Sequence, residues 1–407
     1  MSDARVALPQ RSAAVKVLVL GASHAETPLF SALQNSADEI AAAGMVIHRS
    51  VKELIDVYHE VDYSNASAIE KLVVDEGYDA VLPGCNDFAA ISCASLFARG
   101  VLGRGDSLAV AQSIHLKNRF RSLCVDLEIP SPRAIEVTSS SDVTNLSFNL
   151  PFPLIVKPTD LTGGKGMTVV YEATKLAPAL DFARAVSRQS TVVVEEFLPW
   201  TLHSASYIIL GGALTQILNA DEYTAGAQFL VSAATMPSSL PKSTLEKVDA
   251  MVFKFTSTLG LADGVVHVQF LSDGYQAKIL EVCRRPPGDL YVLLPMLSSA
   301  FDFPRAIIAS QLGLATSLPP ISHSITPTLR LCVMANEPGI FVENRFAFPK
   351  NVEIVFDFNL MQAGDKVSRP GIEKSAILFL QSEDLPTLQE IANTPTKFVE
   401  MRVRKSL

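Results

Sequence analysis

Between residues 15 and 83 the chain passes repeatedly from a short apolar run to a helical stretch and back. Val15–Leu20 (VKVLVL) ends at Gly21, a helix is expected around Ala25–Ala42, and a second strand at Met45–His48. Ala66–Glu76 reads as an amphipathic helix and Asp79–Pro83 as a third strand. Apolar, β-branched runs this short suit strands covered on both faces. Strand, helix and strand at this spacing give βαβ units and a parallel sheet, so a Rossmann-like leading domain is expected. The turn Gly21-Ala-Ser-His24 lacks GxGxxG spacing, and no dinucleotide site is expected there.

The chain is 407 residues long, room for two to four domains at roughly 100–200 residues each. Apolar residues make up 48% and charged residues 19%, which excludes general disorder. Lys+Arg number 34 against 42 Asp+Glu, a net charge of -8. That balance argues against nucleic-acid or anionic-membrane partners, which need a basic face, but allows a local basic pocket. Mean hydropathy is positive, yet stretches such as Tyr207–Leu214 fall short of the roughly 18 residues a membrane span needs. Asp3, Arg5, Arg11 and Lys16 leave no signal-peptide core. Cys85, Cys93, Cys124, Cys283 and Cys332 show no CxxC spacing, so neither a disulfide framework nor a zinc site is expected. The expected class is a soluble, cytoplasmic α/β enzyme.

The expected division is a tail at 1–13, a leading domain at 14–112, a central domain at 113–326 and a C-terminal cap at 327–407. Residues 106–128 read as largely helical, and Ile129-Pro-Ser-Pro132 stops that run. A glycine-loop lobe follows at about 130–197. It holds a strand Leu154–Pro158, a glycine-rich turn Thr162–Met167, a strand Thr168–Tyr171, a helix Lys175–Arg188 and a strand Thr191–Glu195. Ala205–Leu210 and Ala213–Leu218 flank Gly211-Gly212, a hairpin signal. A helix is expected at Leu240–Leu259, strands at Val265–Phe270 and Gln276–Val282, and a helix near 385–393.

Three constellations could carry chemistry. Lys157 ends an apolar strand, and Gly163, Gly164 and Gly166 follow in a turn. Glycines let backbone N–H groups approach phosphate oxygens, and lysine supplies a point charge. The bland alternative is a plain turn and an edge-strand lysine. Val192–Leu198 ends in the acidic pair Glu195 and Glu196, which suits a hinge reading an adenine edge or a strand ending in solvated charges. Gln269 and Glu281 lie on neighbouring strands around Asp273-Gly274. A three-residue loop sets them opposite each other and a two-residue turn does not. Glu281 is a candidate Mg²⁺ ligand, since Mg²⁺ takes oxygen donors. Arg284 and Arg285 before Pro286-Pro287-Gly288-Asp289 suit an oxyanion, or a charged hairpin end.

In order, Lys117, IVKP at 155–158, TGGKG at 162–166, VEEF at 194–197 and an acidic residue before arginine at a strand end resemble the ATP-grasp superfamily. The similarity runs from about 15 to about 313. It fits carboxylate–amine ligases related to the L-amino-acid ligase and carbamoyl-phosphate-synthase branch. The resemblance implies an α/β fold of α+β ATP-grasp type: a Rossmann-like N-terminal domain, a two-lobed ATP-grasp domain and a small C-terminal cap. It implies ATP and Mg²⁺ as cofactors. Lys117 and Lys157 would contact phosphates under the 162–167 loop. Glu195, Glu196 and the Leu198 backbone would hold adenine. Glu281 would bind Mg²⁺, and Arg285 would steady the transferred phosphoryl group. Three positions depart from the family pattern. His203 or Ser204 stands where a ribose-binding glutamate is expected, Gln269 replaces a metal carboxylate, and Cys283 replaces a metal-binding asparagine.

The implied activity is ADP-forming ligation of a small-molecule carboxylate to an amine through an acyl-phosphate, in a protein that could be a homodimer. Gln269 and Cys283 motivate a second reading, a nucleotide-binding protein without chemistry. A biotin-dependent carboxylase subunit is a third.

Overall fold

The computed structural model describes residues 15–34, 36–137, 150–161, 164–187, 190–224, 229–322 and 324–405. Four strands build the leading sheet: β1 (Lys16–Leu20), β2 (Glu39–Gly44), β3 (Val57–Glu60) and β4 (Ala80–Pro83). They run parallel in the order β3-β2-β1-β4. The expected strands at the start and end of this unit stand close to where they were placed. The expected helix 25–42 does not: the α-helix covers only Thr27–Leu33, and from Glu39 the chain is strand β2. Met45–His48, expected as a strand, lies beyond β2, with Met45 57% and Val46 78% exposed.

In an open parallel sheet the carboxyl ends of the strands form the ligand crevice. Glu26 ties two of those ends together. Its carboxylate accepts the Ser23 N–H (2.8 Å) and hydroxyl (2.6 Å) after β1, and the Cys85 N–H (2.8 Å) after β4. It fits only beside glycine, because a Cβ on Gly84 would lie 2.8 Å from Glu26 Oε1 and 2.5 Å from the Leu20 carbonyl. Asn86 then caps the helix Asp87–Ala98 by accepting the Phe88 N–H at 2.9 Å, which fixes Asp87 in its first turn.

A second sheet has the order β5-β8-β6-β7, from β5 (Ala134–Val137), β6 (Leu154–Pro158), β7 (Thr168–Val170) and β8 (Val192–Glu196). The helix Leu176–Val186 packs its Leu176, Leu180 and Ala183 on this sheet. Burying each such leucine contributes about 1.5–3 kcal/mol.

The central sheet has eight strands in the order β13-β12-β9-β10-β11-β14-β18-β16. They are β9 (Thr201–Leu210), β10 (Ala213–Thr224), β11 (Val231–Met236), β12 (Gly264–Ser272), β13 (Ala277–Cys283), β14 (Thr328–Met334), β16 (Glu353–Asn359) and β18 (Lys374–Gln381). A small sheet joins β15 (Gly339–Phe346), β17 (Lys366–Val367) and β19 (Val399–Arg404). The residues after 326 therefore continue the central sheet through β14, β18 and β16, and add the small β17-β15-β19 sheet beside it. The helix expected near 385–393 is Leu385–Asn393.

Candidate functional site

A cleft of about 420 Å³ lies where the leading sheet, the β5–β8 sheet and the central sheet meet. Strand alternation decides which side chains enter it. On β12, His267, Gln269 and Leu271 line the cleft while Val266, Val268 and Phe270 fill the core behind. On β10, Glu222 and Thr224 face the cleft.

The β12–β13 turn is neither of the two weighed from sequence. Ser272 pairs with Ala277, which leaves four residues in the loop and would oppose Gln269 to Leu280. A β-bulge shifts the register between Gln269 and Phe270, so that Gln269 pairs with Glu281. Both residues line the cleft. No hydrogen bond or ion pair with described residues holds the Glu281 carboxylate. The Gln269 amide nitrogen donates to Glu222 Oε2. Glu222 is 6% exposed, and burial pushes its carboxyl up despite bonds from Ser204 and Gln269 and the nearby Arg330.

Lys117, Lys157, Gly164, Glu195, Glu196, Leu198 and Arg285 also line the cleft. Lys157 Nζ is held 2.6 Å from Glu195 Oε2, and Arg121 Nε lies 2.8 Å from Glu195 Oε1. Burial opposes the Glu195 charge, but Arg121 and Lys157 outweigh it and hold the carboxyl at about 2. Both Glu195 oxygens thus hold cations, a role other than the adenine contact expected. The Glu196 carboxylate is likewise taken, by Lys278 and by the Arg133 N–H (3.1 Å) and Nε (3.0 Å). The flat surfaces nearby are aromatic: Phe197 meets Phe229 edge-on at 6.4 Å, and Lys278 lies 5.7 Å over the Trp200 ring.

Lys117 begins the helix Lys117–Asp126 and donates to the Leu161 carbonyl at 2.5 Å. Gly164 and Gly166 both have positive φ, 73° and 72°. Gly166 is glycine for packing, since a Cβ would lie 2.5 Å from Val186 and 2.7 Å from Pro158. Gly163 falls outside the described residues.

Arg285 is anchored by Asp87, whose Oδ1 accepts its Nε at 2.8 Å. Burial would raise the Asp87 carboxyl, yet Arg285 and His115 hold it well below the usual carboxylate range. Beside it His267 is held down to about 3 by burial and by Arg285, so it is neutral. Burial pushes the Cys283 thiol well up, which makes it a poor partner for a hard cation.

His203 is not in the cleft. It alternates with Leu202 and Ser204 on β9, so it points to the opposite face. There its Nδ1 meets Asp221 Oδ1 at 2.8 Å and its Nε2 the Thr201 hydroxyl at 2.7 Å. Both ring nitrogens are used, which removes it as a ribose contact. Ser204 points the right way, bonded to the Tyr291 hydroxyl.

Sequence reasoning missed Asp87, Glu222 and Arg330. Arg330 comes from β14, is 1% exposed, lines the cleft and lies 5.6 Å over the Tyr291 ring. Its Nη1 donates to the Asp289 carbonyl at 3.2 Å, while its buried Nε has no partner among described residues. The one signal in the sequence was a lone arginine in an apolar strand, TLRLCVM.

Residues 122–288 match the ATP-grasp domain family model. A formate-dependent phosphoribosylglycinamide formyltransferase from Synechococcus sp. is 24% identical over 359 residues, 87% of this chain and 90% of that protein. The C-terminal section of a carbamoyl phosphate synthase large chain from Aquifex aeolicus is 23% identical over 206 residues. That match takes in 49% of this chain but only 37% of that protein. The crystal structure of an L-amino acid ligase from Bacillus licheniformis superposes with a TM-score of 0.82 at 14% identity, covering 97% of this chain and 100% of that one.

Proposed function

From the ATP-grasp domain at the centre of this chain, we propose an ATP-dependent, ADP-forming carbon–nitrogen ligase. A substrate carboxylate attacks the γ-phosphate to give an acyl-phosphate, and an amine then displaces phosphate. The observation that carries this reading is the convergence of Lys117, Lys157 and Arg285 with the Gln269–Glu281 pair in one cleft. Cations hold phosphoryl oxygens there, and catalysis is positioning with charge stabilisation.

Lys157 and Lys117 meet the ATP phosphates. Phe197, Leu198, Trp200 and Phe229 give the base an apolar seat. Arg285, steadied by Asp87, meets the transferred phosphoryl group. Arg330, which lines the cleft and whose buried Nε has no partner among the described residues, meets the substrate carboxylate.

The donor set fits Mg²⁺. Glu281 has a carboxylate unengaged by any described residue, and Gln269 spends its NH₂ on Glu222, which leaves its carbonyl oxygen for a metal. Among the described residues no group of three His, Cys, Asp or Glu could hold a metal alone. The ion would rest on Glu281, the Gln269 oxygen and ATP oxygens, as suits a cation that keeps several waters. When bound it neutralises phosphate charge.

No helix among the described residues is long and apolar enough to cross a membrane. The small-molecule acid and amine are read out by a matrix assay of ADP release. Carboxylic acids are tested against amines, including amino acids and amino sugars, with product masses by mass spectrometry. ATP bound but never turned over with any pair favours the nucleotide-binding reading that Gln269 and Cys283 motivated.

A further inference from the structure

One buried histidine in the cleft wall, His115, is unused by this chemistry. Asp87 Oδ1 accepts Arg285 Nε and also sits 3.1 Å from His115 Nδ1. An ionised carboxylate can only accept hydrogen bonds. His115 therefore carries a proton on Nδ1, and in the neutral imidazole the lone pair lies on Nε2. The side chain is 1% exposed, and Nε2 has no hydrogen-bond partner among described residues. His115 lines the cleft two residues before Lys117. It shares Asp87 with Arg285, so it stands next to the phosphoryl-binding arginine.

A buried lone pair is an unsuitable partner for phosphate oxygens, which are themselves acceptors. It suits an N–H. We propose that His115 is the general base of the ligation step, taking a proton from the attacking amine at Nε2. This rests on the ligase reading above. The amine nitrogen forms a C–N bond to the acyl carbon, and the carbonyl π electrons move to oxygen. The N–H proton passes to Nε2, giving an imidazolium opposite Asp87. The carbonyl re-forms, the C–O bond to phosphate breaks, and phosphate leaves with the electron pair. The imidazolium then returns its proton to water. An Asp–His pair whose far nitrogen has no partner among the described residues is the arrangement such a base needs, because the carboxylate fixes the tautomer and stabilises the cation.

The titratable groups near the imidazole come from several elements. Asp87 and Arg285 hold its Nδ1 side, and Lys117, Glu281 and Cys283 belong to the same cleft. His115 also forms a wall of a smaller cavity of about 80 Å³, where Arg104, Asp106 and Arg284 lie.

The test separates the two half-reactions in His115→Asn. The asparagine NH₂ can still donate to Asp87, so Arg285 keeps its anchor, but no base remains. The acid and amine are the pair giving fastest ADP release in the matrix assay. Hydroxylamine replaces the amine in a parallel arm, because its weakly basic nitrogen needs little help to lose a proton. The expected result is hydroxamate formation within a few-fold of wild type, with amide formation slowed roughly 10²–10⁴-fold. Nitrogen NMR of the uncomplexed wild type should show His115 as the Nδ1–H tautomer, assigned by the signals the variant lacks. His115→Gln, which offers an acceptor but no base, should behave alike and serves if the first variant fails to fold. Amide formation within a few-fold of wild type overturns the proposal. Equal loss of both products also overturns it and makes His115 a positioning residue for Arg285. An Nε2–H tautomer overturns it whether or not any substrate is found. No ADP from wild type with any pair instead rejects the ligase reading itself, and this step with it.

Discussion

Gln269 stands across the β12–β13 ladder from Glu281, and its amide nitrogen is spent on Glu222. A neutral amide faces the site where a second carboxylate would add charge. Gln269→Glu adds one negative charge beside Glu281. Mg²⁺ should bind several-fold more tightly, read by Mn²⁺ electron resonance or by titrating the metal against ADP release. Unchanged metal dependence would place Gln269 outside the metal shell.

Lys157→Ala should keep the fold and lose most activity, about 10²–10³-fold in kcat. The strand is held by its apolar neighbours Leu154 and Val156, and Glu195 retains Arg121 as a partner. Circular dichroism should match wild type. Activity within a few-fold of wild type would remove Lys157 from the phosphate site.

Glu195 behaves differently, because it is fully buried between two cations. Glu195→Gln strands Lys157 and Arg121 in low dielectric and should cost about 3–5 kcal/mol. The effect depends on pH with a fixed sign. The carboxyl sits at about 2 in the fold against an ordinary 4.5. Its stabilisation is therefore complete above about pH 4.5 and is lost as pH falls toward 2. Urea unfolding of wild type and variant should differ most at neutral pH and converge in acid. A difference independent of pH would contradict the charge assignment.

Arg330 tests the contribution of the C-terminal residues. Arg330→Met keeps a long apolar stem against Tyr291 and removes the guanidinium. It should raise KM for the carboxylate substrate by tenfold or more while ATP binding stays intact. Truncation before 327 is a different experiment. It strips β14 from β11 and exposes a sheet edge, so an unfolded or aggregated product is expected. A folded truncation that still ligates would make these residues an accessory module.

Elements with strong periodicity were legible. The strand Leu154–Pro158 and the helices 66–76 and 385–393 end where the pattern ends. Strand β2 was not, because Glu39–Gly44 reads EIAAAG and alanine favours helix. Burial between β1 and β3 overrides that preference. In the site, Lys117, Lys157, Gln269, Glu281 and Arg285 could be named from motif order. His203 was misassigned because alternation from Ser204, not motif distance, decides which side chain enters the cleft. Glu222, Asp87 and Arg330 carry no local motif. They reach the cleft only through sheet order and through the Glu26 contact between the β1 and β4 ends, which no linear pattern records.

The products of ATP turnover distinguish acyl-phosphate ligation from the other outcomes. Wild-type protein is incubated with ATP, Mg²⁺ and the acid and amine matrix, and nucleotides are separated by chromatography. The account predicts ADP and phosphate in equal amounts, matched by one amide per ATP consumed. AMP with pyrophosphate, or no turnover with any pair, would contradict it.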